Sequence, residues 1–329
     1  MNVLLSLAVV CGLFVLGLLG AELGLEWILG VVLPYLAVAL FVGGLVNRVL
    51  GWANVPVPFR VPTTCGQQRS LSWIKQQKLD NPHSTLGVVG RMALEILFFR
   101  SLLRNTKSEL VDKRRLVYAT DLSLWIGAMA MHWSLLVVLV RHLRLFTNPT
   151  PLFVTFLERV DGFLEIGLPV IFVSSAVLLA ALAYLLFRRL ASPQVRYISL
   201  VSDYFPLFLL LGIGLSGFWL RHLGKSDIAS IKELALGLVG FNPVIPEGLS
   251  ALFYAHLFLV SVLLAYFPFS KLVHMGGVFL SPTRNLANSN RSKRHVNPWD
   301  YPVKVHTYHE YEDELRDKMK TAGIPVERQ

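Results

Sequence analysis

The sequence predicts an all-α polytopic membrane protein, and three observations carry that prediction. Of its 329 residues 54% are hydrophobic and only 16% charged, against about a quarter charged in soluble domains, and the mean hydropathy is +0.54. The apolar residues are gathered in six blocks instead of being dispersed, and the basic residues alternate between the segments that join them. This balance excludes a disordered chain and argues against a soluble globular enzyme. The net charge of +10 reads first as membrane topology and only then as attraction to an acidic partner. No nucleic-acid partner is implied.

A hydrocarbon core of about 30 Å takes roughly 20 apolar residues in helical form. Residues 3–19 are the first such block. No basic residue precedes the stretch, and a second block at 27–46 follows closely after Ala21 and Glu22, so it reads as a retained helix and not a cleaved signal. Residues 1–46 thus form a pair of spans. In the segment 47–121, Pro56, Pro58 and Pro62 mark 51–64 as an extended loop. Residues 86–103 (LGVVGRMALEILFFRSLL) carry apolar side chains at helical spacing with Arg91, Glu95 and Arg100 among them. They predict an amphipathic helix on the inner membrane face or on a partner. The blocks 122–140, 167–187, 204–220 and 249–269 form a four-helix core over 122–270. The tail 271–329 is polar and proline-marked up to Pro302, and 308–321 reads as a short charged helix. Too polar to build its own core, the tail reads either as a docking strap for a soluble subunit or as a disordered extension. Cys11 lies in an apolar run and Cys65 in a polar loop, with no CxxC or CxxCH. That excludes zinc ribbons, cysteine-ligated iron–sulfur clusters and c-type haem from this chain.

Basic residues orient the bundle. Segments 47–121, 188–203 and 271–329 hold 25 of the 31 lysines and arginines, and the alternate segments hold 6. Basic loops stay in the cytoplasm, which places both termini there; an even number of spans requires the same.

The nine histidines are the most informative residues. His132 lies in the middle of the third span and His142 at its outer end; His256 lies near the outer end of the sixth span and His274 just past its inner end. An ionisable residue inside a bilayer is costly to bury without a partner and marks a functional site by default. His256 and His274 are 18 residues apart, five full turns at about 100° per residue, so they share a face. His132 and His142 are 10 apart, about 80° off alignment. The two spans run in opposite directions, so depth pairs His142 with His256 on the outer side and His132 with His274 on the inner side. Two histidines from facing helices at one depth make the axial ligand set of a b-type haem, and two stacked pairs make a wire across the membrane. Rise alone separates the pairs by about 15 Å on one helix and about 27 Å on the other, with Pro268 positioned to shorten the second. The alternative reading of each residue is a hydrogen-bonded helix contact or a proton relay. His83, His295, His306 and His309 lie in polar segments and read as solvated. His222, beside Arg221 at an outer helix end, reads as an interfacial pair or a haem-propionate partner.

The arrangement of Trp125, His132 and His142 (WxxxxxxHxxxxxxxxxH), together with HLFLVSVLLAYFPFSKLVH from His256 to His274, resembles the dihaem cytochrome b family of respiratory nitrate reductase gamma subunits. The segments PVPFRVPTTCGQQRSLSWIKQQKLDNP (56–82) and MALEILFFRSLLRNTK (92–107) and the tail from SPTRNLANSN onward resemble the membrane cytochrome b subunits of the Dsr complexes of dissimilatory sulfur metabolism. The resemblance implies that the four histidines ligate two haems b. It also implies that a menaquinone-type quinone reacts near the outer haem, and that electrons pass by the inner haem to a cytoplasmic iron–sulfur subunit resembling heterodisulfide reductase. Further implied partners are a periplasmic multihaem cytochrome c, a periplasmic iron–sulfur protein and a second membrane subunit. The gamma subunits have five spans and this chain has six, which leaves the histidine core unchanged.

Iron held by two neutral imidazoles has no open position, so such a chain transfers electrons and does not activate oxygen. Arg141, Arg144, Glu158, Asp161 and Glu165 flank His142 on the outer side and are candidates for a quinone site; an ordinary interfacial charge cluster is the competing reading. Two rival classes remain, a proton- or metal-coupled transporter and a haem-free membrane anchor. The first would show inverted repeats and acidic residues inside the spans, and neither is visible.

Overall fold

In water-free surroundings every backbone amide needs a partner inside its own segment, so each apolar block must become a helix. A computed structural model describes residues 1–55, 77–104, 107–112, 114–162, 171–224, 226–287 and 305–327. Six helices there are long and apolar enough to cross a membrane: Asn2–Glu22, Ile28–Ala53, Leu122–Phe146, Val173–Ala191, Val201–Leu223 and Ala251–Phe269. Each contains or overlaps one of the six expected blocks. The start of the fourth block, 167–170, lies outside the described residues.

In chain order, α1 is Asn2–Glu22. A π-turn, Ile28–Val32, leads into α2, Leu33–Ala53. The amphipathic helix α3 is Thr85–Phe98, followed by a 3-10 turn at Arg100–Leu103 and an antiparallel hairpin, β1 Lys107–Val111 with β2 Arg115–Ala119, in which Ser108 faces Tyr118. Then come α4, Leu122–Phe146, α5, Leu152–Gly162, α6, Val173–Ala191, and the short α7, Pro193–Ile198. Next, α8, Val201–Phe218, runs into a π-turn at Trp219–Leu223, and α9 is Ile228–Val239. Last are α10, Ala251–Tyr266, α11, His274–Leu280, α12, Pro282–Asn285, and α13, Tyr308–Thr321, which has the bounds expected of the charged tail helix.

The hairpin, α5 and α9 are additions to the sequence reading. The amphipathic helix also stops earlier than expected. Phe99 adopts the left-handed region (φ 47, ψ 46) and closes α3, so the remaining expected helical residues form a 3-10 turn.

Packing divides the bundle around two helices. The first, α10, lies against α1, α2 and α8, whereas α4 lies against α6 and α9. Small residues make the close approaches. A Cβ on Gly17 would fall 2.8 Å from the Cα of Ala255, and one on Gly127 would fall 2.6 Å from the ring of Tyr184; without these glycines, α1 could not reach α10, nor α4 reach α6. One apolar cluster gathers Leu29, Leu220, Leu234, Phe253 and Tyr254, and a second gathers Val10, Leu209 and Leu259. Leucines and valines such as Leu16, Val42 and Leu139 stay exposed on the outside of the bundle, as a lipid-facing surface requires.

Candidate functional site

The two helices that carry the singled-out histidines are α4 (His132, His142) and α10 (His256). Between them there is no extensive close approach of backbones, because the main neighbours of each are other helices. His274 does not continue α10. The helix ends at Tyr266, Pro268 sits in a 3-10 turn, Ser270 is extended (φ -114, ψ 176), and a second 3-10 turn, Lys271–Val273, brings the chain to His274. The rise of about 27 Å calculated for an uninterrupted helix therefore does not apply.

This break turns His274 toward α4. Its ring centre lies 6.2 Å from that of His132, with the planes 79° apart. An imidazole nitrogen sits about 2.0 Å from a first-row metal, with its ring centre ~1.1 Å farther, so two imidazoles across one metal have centres about 6.2 Å apart. The inner pair already has that spacing. The outer candidates, His142 and His256, lie near one another.

The hydrogen bonds fix which nitrogen is available. His132 Nδ1 lies 2.8 Å from the Ala128 carbonyl, His142 Nδ1 2.7 Å from that of Val138 and His274 Nδ1 2.8 Å from that of Lys271. A carbonyl only accepts, so these Nδ1 atoms carry the proton and Nε2 keeps its lone pair. His256 Nδ1 is instead 2.9 Å from the Ser216 hydroxyl. Metal-ligating histidines are held in this way, with the second nitrogen donating to an oxygen. Among the described residues no three His, Cys, Asp or Glu side chains converge as a chelate. The histidines fall instead two by two, His132 beside His274 and His142 near His256.

The inner pair has a wall that sequence reasoning missed. Phe99 packs edge-to-face on His132, with ring centres 4.9 Å apart. The end of α3 that delivers it is fixed to α4 by two indoles: Trp125 Nε1 donates to the Phe98 carbonyl (2.7 Å) and Trp133 Nε1 to that of Leu97 (3.2 Å). These are carbonyls a helix C-terminus leaves open. Below them Glu95, buried, accepts from the Ser101 N–H (3.0 Å) and hydroxyl and pairs with Arg284 (3.3 Å), which ties α12 to α3.

On the outer side four of the five flanking charged candidates meet. Arg141 Nη1 donates to Asp161 (2.6 Å) and to the Ser174 hydroxyl (3.2 Å), while Asp161 also accepts from the Ser174 N–H (2.8 Å) and hydroxyl (2.6 Å). All three residues are buried. The Arg141 guanidinium lies 3.6 Å from the centre of the Phe172 ring, and Arg144 pairs with Glu158 at 2.7 Å. Glu165 lies outside the described residues. A wide-mouthed pocket of about 420 Å³ opens beside this cluster, lined by Arg144, Thr155, Glu158, Arg159, Phe172 and Arg221. His222 is buried against Phe172 and Phe218. His306 and His309 are exposed and His83 half-buried; His295 and Cys65 lie outside the described residues.

Six membrane-length helices, two of them bearing His132, His142 and His256, define a polytopic α-helical membrane protein. The chain belongs to the nitrate reductase gamma subunit family, which it matches over residues 93–291. It is 45% identical over 280 residues to an Hdr-like menaquinol oxidoreductase cytochrome b-like subunit of Archaeoglobus fulgidus, covering 83% of each chain. It is 41% identical over 281 residues to the protein of the same description from Archaeoglobus profundus, covering 82% of this chain and 81% of that one. A membrane cytochrome b role in electron transfer follows from that membership.

Proposed function

We propose that the chain is a dihaem b electron-transfer subunit, with His132 and His274 holding an inner haem and His142 and His256 an outer one. The observation that carries this reading is the inner pair. Two imidazoles stand 6.2 Å apart between helices that otherwise avoid each other, with both Nδ1 atoms engaged. Haem b, when bound, supplies a one-electron ferric/ferrous couple. The chain's own residues hold it: backbone carbonyls fix three ring orientations, Ser216 the fourth, and Phe99 shields the inner pair.

The substrate on the outer side is a menaquinone-type quinone, and the pocket beside Arg144 and Glu158 is its candidate seat. The similarity to Hdr-like menaquinol oxidoreductase cytochrome b-like subunits supports the quinone class. The Arg141–Asp161–Ser174 network holds α5 and α6 against α4 and so shapes that pocket. Electrons leave or enter on the inner side through a cytoplasmic iron–sulfur subunit of the heterodisulfide-reductase kind (DsrK-like). Residues 47–121 and the tail 271–329, with α13, are its docking elements. The loop and tail segments further support a DsrM-like subunit in sulfite reduction or another branch of sulfur metabolism, in a cytoplasmic membrane, with both termini cytoplasmic. The same complex then includes a periplasmic multihaem cytochrome c, a periplasmic iron–sulfur protein and a second membrane subunit.

A visible spectrum of the purified protein tests this. Dithionite reduction gives b-type α-bands and pyridine extraction two haems per chain; His142→Ala and His274→Ala each keep half of the absorbance. If both variants keep all of it, the pairing is wrong; if the wild type shows no haem, the reading fails and a transporter or a haem-free anchor replaces it.

A further inference from the structure

Three of the four histidines are oriented by a carbonyl of the preceding turn, Ala128, Val138 or Lys271, which no substitution removes. His256 is different. Its Nδ1 meets a side chain from another helix, Ser216 of α8, at 2.9 Å, with the Ile213 backbone of the same helix also within reach of the ring. Ser216 is itself 5% exposed, and its hydroxyl lies 2.8 Å from the Gly212 carbonyl and 3.1 Å from that of Ile213. A hydroxyl has one proton and two lone pairs. Both carbonyls are pure acceptors, so that proton goes to the backbone one turn back, and the hydroxyl faces His256 as an acceptor. Nδ1 of His256 is thereby the protonated nitrogen, and Nε2 is left for a metal.

The next residue makes room for the ring. A Cβ on Gly217 would fall 3.0 Å from His256 Cε1 and under 4 Å from both ring nitrogens. Any side chain there would press on the imidazole itself. Elsewhere along α10, α1 holds it where Gly17 abuts Ala255, the residue before His256. The ring is therefore clamped between a fixed helix and the Ser216–Gly217 step, and cannot follow a change in α8 by moving the helix that bears it.

We infer that Ser216 and Gly217 are positioning residues that set the donor strength and tilt of His256, and thus tune the outer haem separately from the inner one. The inference rests on the reading that His256 is an outer-haem ligand. An imidazole whose Nδ1–H is bonded to an oxygen is a stronger donor through Nε2, and a stronger donor favours ferric iron. Removing the acceptor weakens the donor and moves the midpoint potential up.

Potentiometric titration of the purified full chain, followed optically and by EPR of the ferric haems, tests this. In Ser216→Ala one midpoint rises, or that haem alone is lost, while the other titrates as in the wild type; Ser216→Thr, which keeps the hydroxyl, titrates as the wild type. Gly217→Ala keeps the hydrogen bond and shifts the g-values of the same haem. Wild-type midpoints and g-values for both haems in Ser216→Ala and Gly217→Ala overturn the inference. His256→Ala separates the two possible failures: it loses one haem if the underlying reading holds, and if it retains both, the ligand assignment itself is wrong.

Discussion

Phe99 is a bulky residue held at φ 47, ψ 46, a backbone region that costs an L-residue roughly 1–2 kcal/mol. The conformation persists because it is over-determined: two indole N–H groups grip the carbonyls just before it, and its own ring lies on His132. That contact keeps water from one face of the inner pair, and the apolar shell around a metal site controls its potential. On the proposed dihaem reading, Phe99→Ala should therefore lower the inner midpoint by admitting solvent that favours the more charged ferric state, with the outer midpoint unchanged. A redox titration checks this, and an equal shift of both haems would contradict it. Histidines 132, 142, 256 and 274 stand out in the sequence because an imidazole in an apolar block is costly. Phe99, Ser216 and Gly217 do not stand out, since each is an ordinary residue in its own segment and becomes part of the site only through contact with another helix.

Between elements the same limit applies. The six long helices are legible because 20-residue apolar blocks admit one solution in a bilayer. The hairpin, α5 and α9 are too short to stand out as spans; the hairpin turn at Asp112 uses positive φ without a glycine to announce it. The junction of α4 with α6 is likewise set by a contact remote in sequence. Asp121 caps α4, accepting from the Leu124 N–H at 3.0 Å, and also takes Ser123 and Arg188 of α6. Burial pushes its carboxyl up, but the hydrogen bonds from Leu124, Ser123 and Arg188 prevail and hold it at about 2, below the ordinary 3.8. A depressed carboxyl stabilises the folded state above the unfolded value and loses that contribution as pH falls toward the folded one. Asp121→Asn keeps a capping oxygen but loses the charge, so it should cost on the order of 1 kcal/mol at pH 6 for this partly exposed pair. Thermal melts in detergent should show the gap to the wild type closing between about pH 4 and pH 2; a gap constant with pH would mean that the ion pair contributes nothing.

At the scale of the whole molecule, the basic segments are tied to one another at one end of the bundle. Arg284 of α12 pairs with Glu95 of α3, Arg188 of α6 with the Asp121 cap of α4, and Lys271 with Asp203 at the start of α8. Asn2 at the start of α1 donates to the Ser199 carbonyl just after α7. At the other end, α9 is fixed to α2 through Tyr35 and the Leu238 carbonyl, and α5 to α4 and α6 through Asp161. Arg188, Lys271 and Arg284 thus meet their partners at the end that also bears His274 and α3, the end that the proposed orientation, from the positive-inside rule, puts in the cytoplasm. The proposed orientation would make the inner pair face a soluble partner and the pocket by Arg144 face outward. It predicts that in a background with Cys11→Ala and Cys65→Ala, Thr150→Cys between α4 and α5 reacts with an impermeant maleimide in right-side-out vesicles. A protease should remove a tag at the C-terminus only from inverted vesicles. The opposite pattern would reverse the bundle, bring the Arg144 pocket to the cytoplasmic side, and leave the basic surface with no cytoplasmic subunit to dock.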